Sequence, residues 1–238
     1  MAWFTQARQA NTMKMSRYWA HVFAVTLMGM APWMSAFGQN YQVELVIFEN
    51  LDRTGLQDEY WPAPMLDRAN WGAAITPASE QTGRGAFSLL PSSQHKLTRY
   101  ADSIARGKAY RPVMHLAWVQ PGLGESQARA VRISDGRPIN LPTNASIFVA
   151  GDTLATDAPA TYRLDGTVTV YVNRFIHVQT QLALTEPAPT SGTPENPLSD
   201  TPRWREYALV ETRRLRTGEI HYLDNPRFGI LVRVDPLR

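Results

Sequence analysis

The stretch GTVTVYVNRFIHVQTQLAL, residues 166–184, carries the longest β-strand signal of the chain. Its apolar side chains, such as Val168, Val170 and Val178, share one parity, whereas the other parity is polar with aromatic residues. This alternation is typical of a strand with one face in the core and one face outside it. The stretch exceeds the usual strand length of about 3–10 residues. We therefore expect a bend, a β-bulge near Arg174 or continuation into a second pairing.

The polar parity of this stretch offers flat rings, an amide and an imidazole. Its members there are Tyr171, Asn173, Phe175 and His177. Such groups suit a sugar, which has an apolar CH face and a ring of hydroxyls. The alternative is an aromatic cross-strand ladder covered by loops or by a helix. Asn173, Phe175 and His177 are therefore candidate ligand-binding residues.

Strand signal resumes at residues 206–215 and is followed by a turn signal at Thr217-Gly218. A two-residue loop at this point predicts a hairpin that pairs Arg214 with His221. Glycine suits such a loop because it adopts positive φ without steric cost. A second turn is predicted at residues 224–226.

Three arginines, Arg213, Arg214 and Arg216, crowd the predicted strand end before this turn. Arginine binds a carboxylate through two parallel hydrogen bonds. The alternative is a solvated edge whose charge protects it against aggregation, with Glu219 facing Arg216 across the turn. Arg214 and His221 join the candidate patch on the condition that the hairpin and the long strand are neighbours in the sheet.

Local patterns predict further strands at 41–49, 112–119, 130–133 and 228–234. The best helix signal covers Ser93–Arg106, with Ser92 or Ser93 as its cap and Gly107 as a left-handed stop. The predicted fold class is α+β: a mainly antiparallel sheet with one principal helix and long irregular loops.

The first 38 residues have the layout of a signal peptide. An apolar run at 18–34 follows basic residues and precedes small ones, with cleavage expected after Gly38. The run is shorter than the roughly 20 residues of a membrane span. An uncleaved anchor is the alternative. Residues 39–238 are expected to form a single periplasmic domain with a Pro-rich excursion at 186–203 and no stable membrane span.

Composition excludes several classes of site. The chain has no Cys, which removes disulfides, thiolate zinc sites and cysteine nucleophiles. Residues 1–38 hold three of the 24 basic residues and none of the 21 acidic ones, so the rest of the chain carries 21 of each. A neutral balance gives no bulk support for nucleic-acid binding.

Catalytic motifs are absent from the sequence. It contains no Gly-x-Ser-x-Gly, no Walker loop and no His-Glu-x-x-His. The histidines beyond the leader, at 95, 115, 177 and 221, stand singly, so spacing indicates no metal site. A site assembled from distant residues stays open. The sequence therefore predicts that the protein is not an enzyme and that it has neither a catalytic residue nor a cofactor.

Three blocks together resemble the CsiV family. They are YQVELVIFE at 41–49, LDGTV with NRFIHV at 164–168 and 173–178, and TRRLRTGEIHYLDNPRFGILV at 212–232. The resemblance implies a non-catalytic periplasmic protein that binds peptidoglycan and supports cell-wall assembly and cell-shape maintenance. A peptidoglycan synthase or its regulator is the protein partner that such a role suggests. Residues 50–90 and 186–203 carry no such match.

Two other classes of function are alternatives to peptidoglycan binding. One is an envelope protein–protein adaptor that does not bind glycan directly and docks through a sheet edge or the Pro-rich excursion. The other is an unrecognised envelope hydrolase. Sacculus binding and sacculus digestion separate the three classes.

Overall fold

The computed structural model describes residues 38–54, 66–77, 87–139, 146–149, 152–154, 162–187 and 203–237. The predicted leader up to residue 37 and most of the Pro-rich excursion, at 188–202, lie outside the described residues. All described residues belong to one unit of the chain, Ala36–Arg238.

The described residues form eleven strands and one α-helix. The strands are β1 (Asn40–Asn50), β2 (Ser88–Leu89), β3 (Tyr110–Pro121), β4 (Ala130–Ser134), β5 (Ser146–Val149), β6 (Asp152–Leu154), β7 (Leu164–Val172), β8 (Ile176–Pro187), β9 (Arg203–Leu215), β10 (Ile220–Asn225) and β11 (Phe228–Pro236). The helix is α1 (Thr98–Arg106), and short 3₁₀ helices cover Arg68–Ala73, Ser92–Gln94 and Glu125–Gln127. No helix in this described part is long and apolar enough to cross a membrane.

The strands form two sheets. Sheet A has the order β10-β11-β1-β3-β2, and sheet B has the order β4-β7-β8-β9-β5-β6. Neighbours run antiparallel except β5 and β9, which are parallel. This architecture confirms the predicted α+β class, with two sheets in place of one.

One buried core joins the inward faces of both sheets. Leu45 and Trp118 of sheet A and Leu182 of sheet B are all completely buried in it. Burial of each such apolar side chain contributes about 1.5–3 kcal/mol. Helix α1 packs on the other face of sheet A, where Leu97 and Ile104 meet Val46.

The long β signal is a hairpin, which is the second pairing that its length predicted. Strands β7 and β8 pair antiparallel, and residues 173–175 form the loop between them. Val172 lies opposite Ile176, so apolar residues of equal parity stay on the core face through the turn. The predicted division into a core face and a polar face is therefore confirmed.

The predicted hairpin at Thr217-Gly218 is wrong in its pairing. β9 lies in sheet B and β10 in sheet A, so the turn carries the chain from one sheet to the other. Arg214 lies opposite His177, not opposite His221. The local turn is as expected, because Gly218 has φ +77°. A turn signal reverses the chain but does not determine which strand becomes the partner.

The predicted helix is too long at its start. Residues 92–94 form a 3₁₀ turn, and α1 begins at Thr98 without a side-chain cap from a serine. The Glu44 carboxylate takes this role, because it accepts the N–H groups of Lys96 and Leu97 at 2.7 and 2.8 Å. Gly107 ends the helix with φ −73°, so the predicted left-handed stop is also wrong.

Candidate functional site

The outer face of sheet B carries the polar parity of β7 and β8. His177 lies between Tyr171 on β7 and Arg214 on β9 in the strand register. The rings of His177 and Tyr171 stack with centroids 4.9 Å apart and planes 12° apart. The buried Nδ1 of His177 has no hydrogen-bond partner within the described part of the chain.

Phe175 stands at the tip of the β7–β8 hairpin with 43% of its surface exposed. The Arg214 guanidinium lies 4.5 Å from the ring centroid, and that of Arg174 lies 5.5 Å from it. These are cation–π contacts. Among the described residues, the ion pairs of this strand end involve Arg213 and Arg216, and no carboxylate pairs with Arg214.

Asn173 connects the hairpin tip to a neighbouring loop. Its side-chain amide donates to Glu125 at 3.4 Å. Burial raises the pKa of Tyr171, and the nearby Glu125 carboxylate raises it further. We call Asn173, Phe175, His177 and Arg214 the hairpin patch.

An open groove of about 380 Å³ adjoins this patch on the same face. It is lined by Ala73, Ala74, Glu125, Ala128, Arg129, Ala130, Thr169, Tyr171 and Gln179. Glu125 and Arg129 offer opposite charges along one loop, while Thr169 and Gln179 offer a hydroxyl and an amide from the sheet. Tyr171 belongs to the groove and also stacks on His177 of the hairpin patch.

His221 does not join the hairpin patch. It lies on β10 of sheet A opposite Val232, and its Nε2 accepts the backbone N–H of Arg216 at 3.1 Å. The prediction that placed His221 beside Arg214 is wrong, because it depended on the hairpin between β9 and β10. The remaining four candidates are brought together because β8 and β9 are neighbours.

Sequence reasoning missed four polar groove residues: Glu125, Arg129, Thr169 and Gln179. Thr169 and Gln179 share the parity of Tyr171, so the alternation itself could have identified them. Glu125 starts a short 3₁₀ helix and Arg129 follows it, in a segment between β3 and β4 whose sequence shows no period. Only the packing of this segment against β7 and β8 brings them to the groove.

A second cluster lies on sheet A, between the sheet and the start of α1. Two histidines that stand singly in sequence meet there, since the rings of His95 and His115 lie 4.3 Å apart. His115 Nε2 also lies 2.7 Å from Glu44, which is 1% exposed. One ligand atom from each of the three residues lies within 4.8 Å of the others. These residues could hold a metal ion.

Comparison with known proteins gives one family. The family model described as peptidoglycan-binding protein, CsiV, matches residues 20–237. A search of curated proteins gives no match. The cryo-EM structure of the type II secretion system secretin GspD from E. coli K12 is similar at 8% identity with a TM-score of 0.36. That similarity covers 93% of this chain but only 54% of the secretin chain.

Proposed function

The chain belongs to the CsiV family of peptidoglycan-binding proteins, and we propose that it binds peptidoglycan through the outer face of sheet B. The family match extends over residues 20–237 and therefore includes every strand of both sheets. The proposed binding surface consists of the hairpin patch and the adjoining groove.

The contact between Phe175 and Arg214 carries this proposal. An exposed ring lies beside a guanidinium with which no carboxylate of the described residues pairs, and this places an apolar surface and a bidentate donor 4.5 Å apart. Peptidoglycan combines sugars with apolar CH faces and peptides with carboxylates. A surface of this kind engages both parts at once, which neither an isolated ring nor an isolated arginine would do.

The groove supports the same ligand class. Thr169 and Gln179 supply groups that hydrogen-bond hydroxyls and acetamido groups, and Tyr171 supplies a ring edge. Glu125 and Arg129 lie on the groove wall, where they would meet the ammonium and carboxylate groups of the peptides. These charges are local, which recognition requires because residues 39–238 carry equal numbers of basic and acidic residues.

We further propose that the protein acts in the periplasm after removal of its leader near Gly38. Its role there would be non-catalytic support of cell-wall assembly and cell shape, in company with a peptidoglycan synthase or its regulator. The family description and the leader-like composition of residues 1–38 support this assignment.

Co-sedimentation with purified sacculi tests the binding surface. Phe175→Ala should weaken binding by about 1–3 kcal/mol, the scale for aromatic stacking platforms, which is about 5- to 150-fold in Kd. Arg214→Gln should weaken it in a way that depends on salt, because exposed charges are screened. Tyr100→Ala on α1, whose ring is 49% exposed, and Arg216→Gln in the turn are matched controls that should bind as wild type.

The outcomes separate the functional classes. Retention of the wild-type protein without new soluble products supports a binding protein. No retention would favour the adaptor, and release of muropeptides would favour a hydrolase. Normal sedimentation of a folded double variant of Phe175 and Arg214 would eliminate this surface as the site.

A further inference from the structure

We propose that Glu44, His95 and His115 form a binding site for a divalent transition metal, with zinc as the ion that suits them best. The site lies on sheet A beside the start of α1, and it is independent of the proposed peptidoglycan surface on sheet B. Imidazole and carboxylate are common zinc ligands, and two His with one Glu is an established donor set.

The three residues come from separate parts of the chain. Glu44 lies on β1, His115 on the neighbouring β3, and His95 in the segment that leads into α1. Their ligand atoms lie within 4.8 Å of one another, and His115 Nε2 is 2.7 Å from Glu44 Oε1. Ligands about 2.1 Å from a tetrahedral zinc are about 3.4 Å apart. The observed separations, from 2.7 Å up to at most 4.8 Å, span this spacing, so binding would require the side chains to adjust.

Outer hydrogen bonds orient the donors. His95 Nε2 lies 3.3 Å from the carbonyl oxygen of Leu90. In the tautomer that donates this bond, Nδ1 carries a free lone pair for a metal. The Glu44 carboxylate is held by the backbone N–H groups of Lys96 and Leu97. Metal-binding side chains are typically oriented by such partners.

Without a metal, the Glu44 carboxylate has hydrogen-bond partners in these N–H groups and in His115. A bound ion would replace the hydrogen bond between His115 and Glu44 with two coordinate bonds and would add His95. It would then join β1, β3 and the start of α1. A cluster that only caps the helix would need the Glu44 carboxylate and the N–H groups of Lys96 and Leu97. It would not need His95.

Titration of chelator-treated full-length protein with Zn²⁺, followed by calorimetry, tests the site. We expect one zinc per chain and a higher melting temperature in its presence, since binding to the folded state alone stabilises it. His95→Gln and His115→Gln should each weaken zinc binding by at least about tenfold, the effect known for outer-shell partners alone. His177→Gln and His221→Gln change half-buried histidines elsewhere and should bind zinc as wild type.

Co²⁺ absorption gives a second measurement, because a tetrahedral site produces a visible band that is far more intense than the weak band of water-bound cobalt. His95 is the decisive residue, because the helix start keeps its Glu44 contacts when His95 is replaced. No zinc binding by the wild type, or equal binding by a folded His95→Gln variant, would overturn the proposal. Neither result would affect the test of sacculus binding.

Discussion

Asp235 shows how a single carboxylate connects strand β11 of sheet A to the segment that leads into α1. It lies near the end of β11 and accepts hydrogen bonds from Arg233 at 2.8 and 3.0 Å, while the Lys96 ammonium lies 3.2 Å away. Burial acts to raise the pKa of Asp235. The hydrogen bonds and positive charges of Arg233 and Lys96 outweigh it, so the pKa lies below its ordinary value.

This direction predicts a pH dependence of stability. A carboxyl whose pKa is lower in the folded protein stabilises it above the unfolded pKa of about 3.9. That stabilisation is lost as pH falls through the folded pKa. Wild type should therefore be more stable than Asp235→Asn near pH 6, and the difference should shrink below about pH 4. Urea unfolding at a series of pH values measures this difference in the free energy of unfolding. A difference that does not change with pH would contradict the lowered pKa of Asp235.

Among the elements, the hairpin of β7 and β8 presents most of the candidate site. Its loop holds Asn173 and Phe175, and its first cross-strand pair beyond Val172 and Ile176 is Tyr171 with His177. Strand β9 adds Arg214 from the adjacent position. The site residues therefore depend on strand register, because a slip by one residue would turn these side chains toward the core.

The turn between β9 and β10 depends on Gly218. Its φ of +77° is unfavourable for other residues, although a Cβ there would find only the Asp235 carboxylate and the Arg233 guanidinium, at 3.6 and 3.9 Å. Gly218→Val should therefore destabilise the fold by about 1–2 kcal/mol through backbone strain. Gly218→Asn should cost less, since asparagine tolerates this conformation. Thermal melting of the two variants measures their stability. An equal loss of stability in both would contradict the explanation by backbone strain.

At the scale of the whole molecule, Arg227 joins the two sheets. It lies in the two-residue turn between β10 and β11, is 1% exposed, and donates to both oxygens of Glu186 on β8 at 2.8–3.2 Å. It also donates to the carbonyl oxygen of Asn50. A buried cation with these partners connects sheet A to sheet B at one end of the core.

Arg227→Ala should lower the free energy of unfolding by up to about 3–5 kcal/mol, because it removes the hydrogen bonds of Arg227 to the buried Glu186. The carboxylate would keep the longer approaches of Arg53 and Arg163, at 3.6 and 4.0 Å. Arg53→Ala is the matched control. Arg53 approaches the same carboxylate at 3.6 Å, but its side chain is 67% exposed, so its loss should cost no more than about 1 kcal/mol. Urea denaturation gives the free energy of unfolding of both variants. Similar decreases in the two variants would show that Arg227 is not the charge that connects the sheets.

Alternation along residues 166–184 was enough to predict which side chains face the core. Parity is a local property, and the loop at 173–175 preserves it, so Val170 and Val178 are buried together as expected. The same reasoning identified Phe175 and His177 as members of the polar face. Strand positions near 41–49, 112–119, 130–133 and 228–234 also followed from local pattern and are confirmed.

The sequence by itself therefore determined the α+β class, the faces of the strands and the resemblance to the family. Only the tertiary structure decided that β9 pairs with β8 and not with β10, which united Arg214 with His177 and separated it from His221. It likewise brought His95 and His115 together on Glu44. The physical reason is range: side-chain alternation arises between adjacent residues, whereas strand order depends on which distant apolar faces share one core.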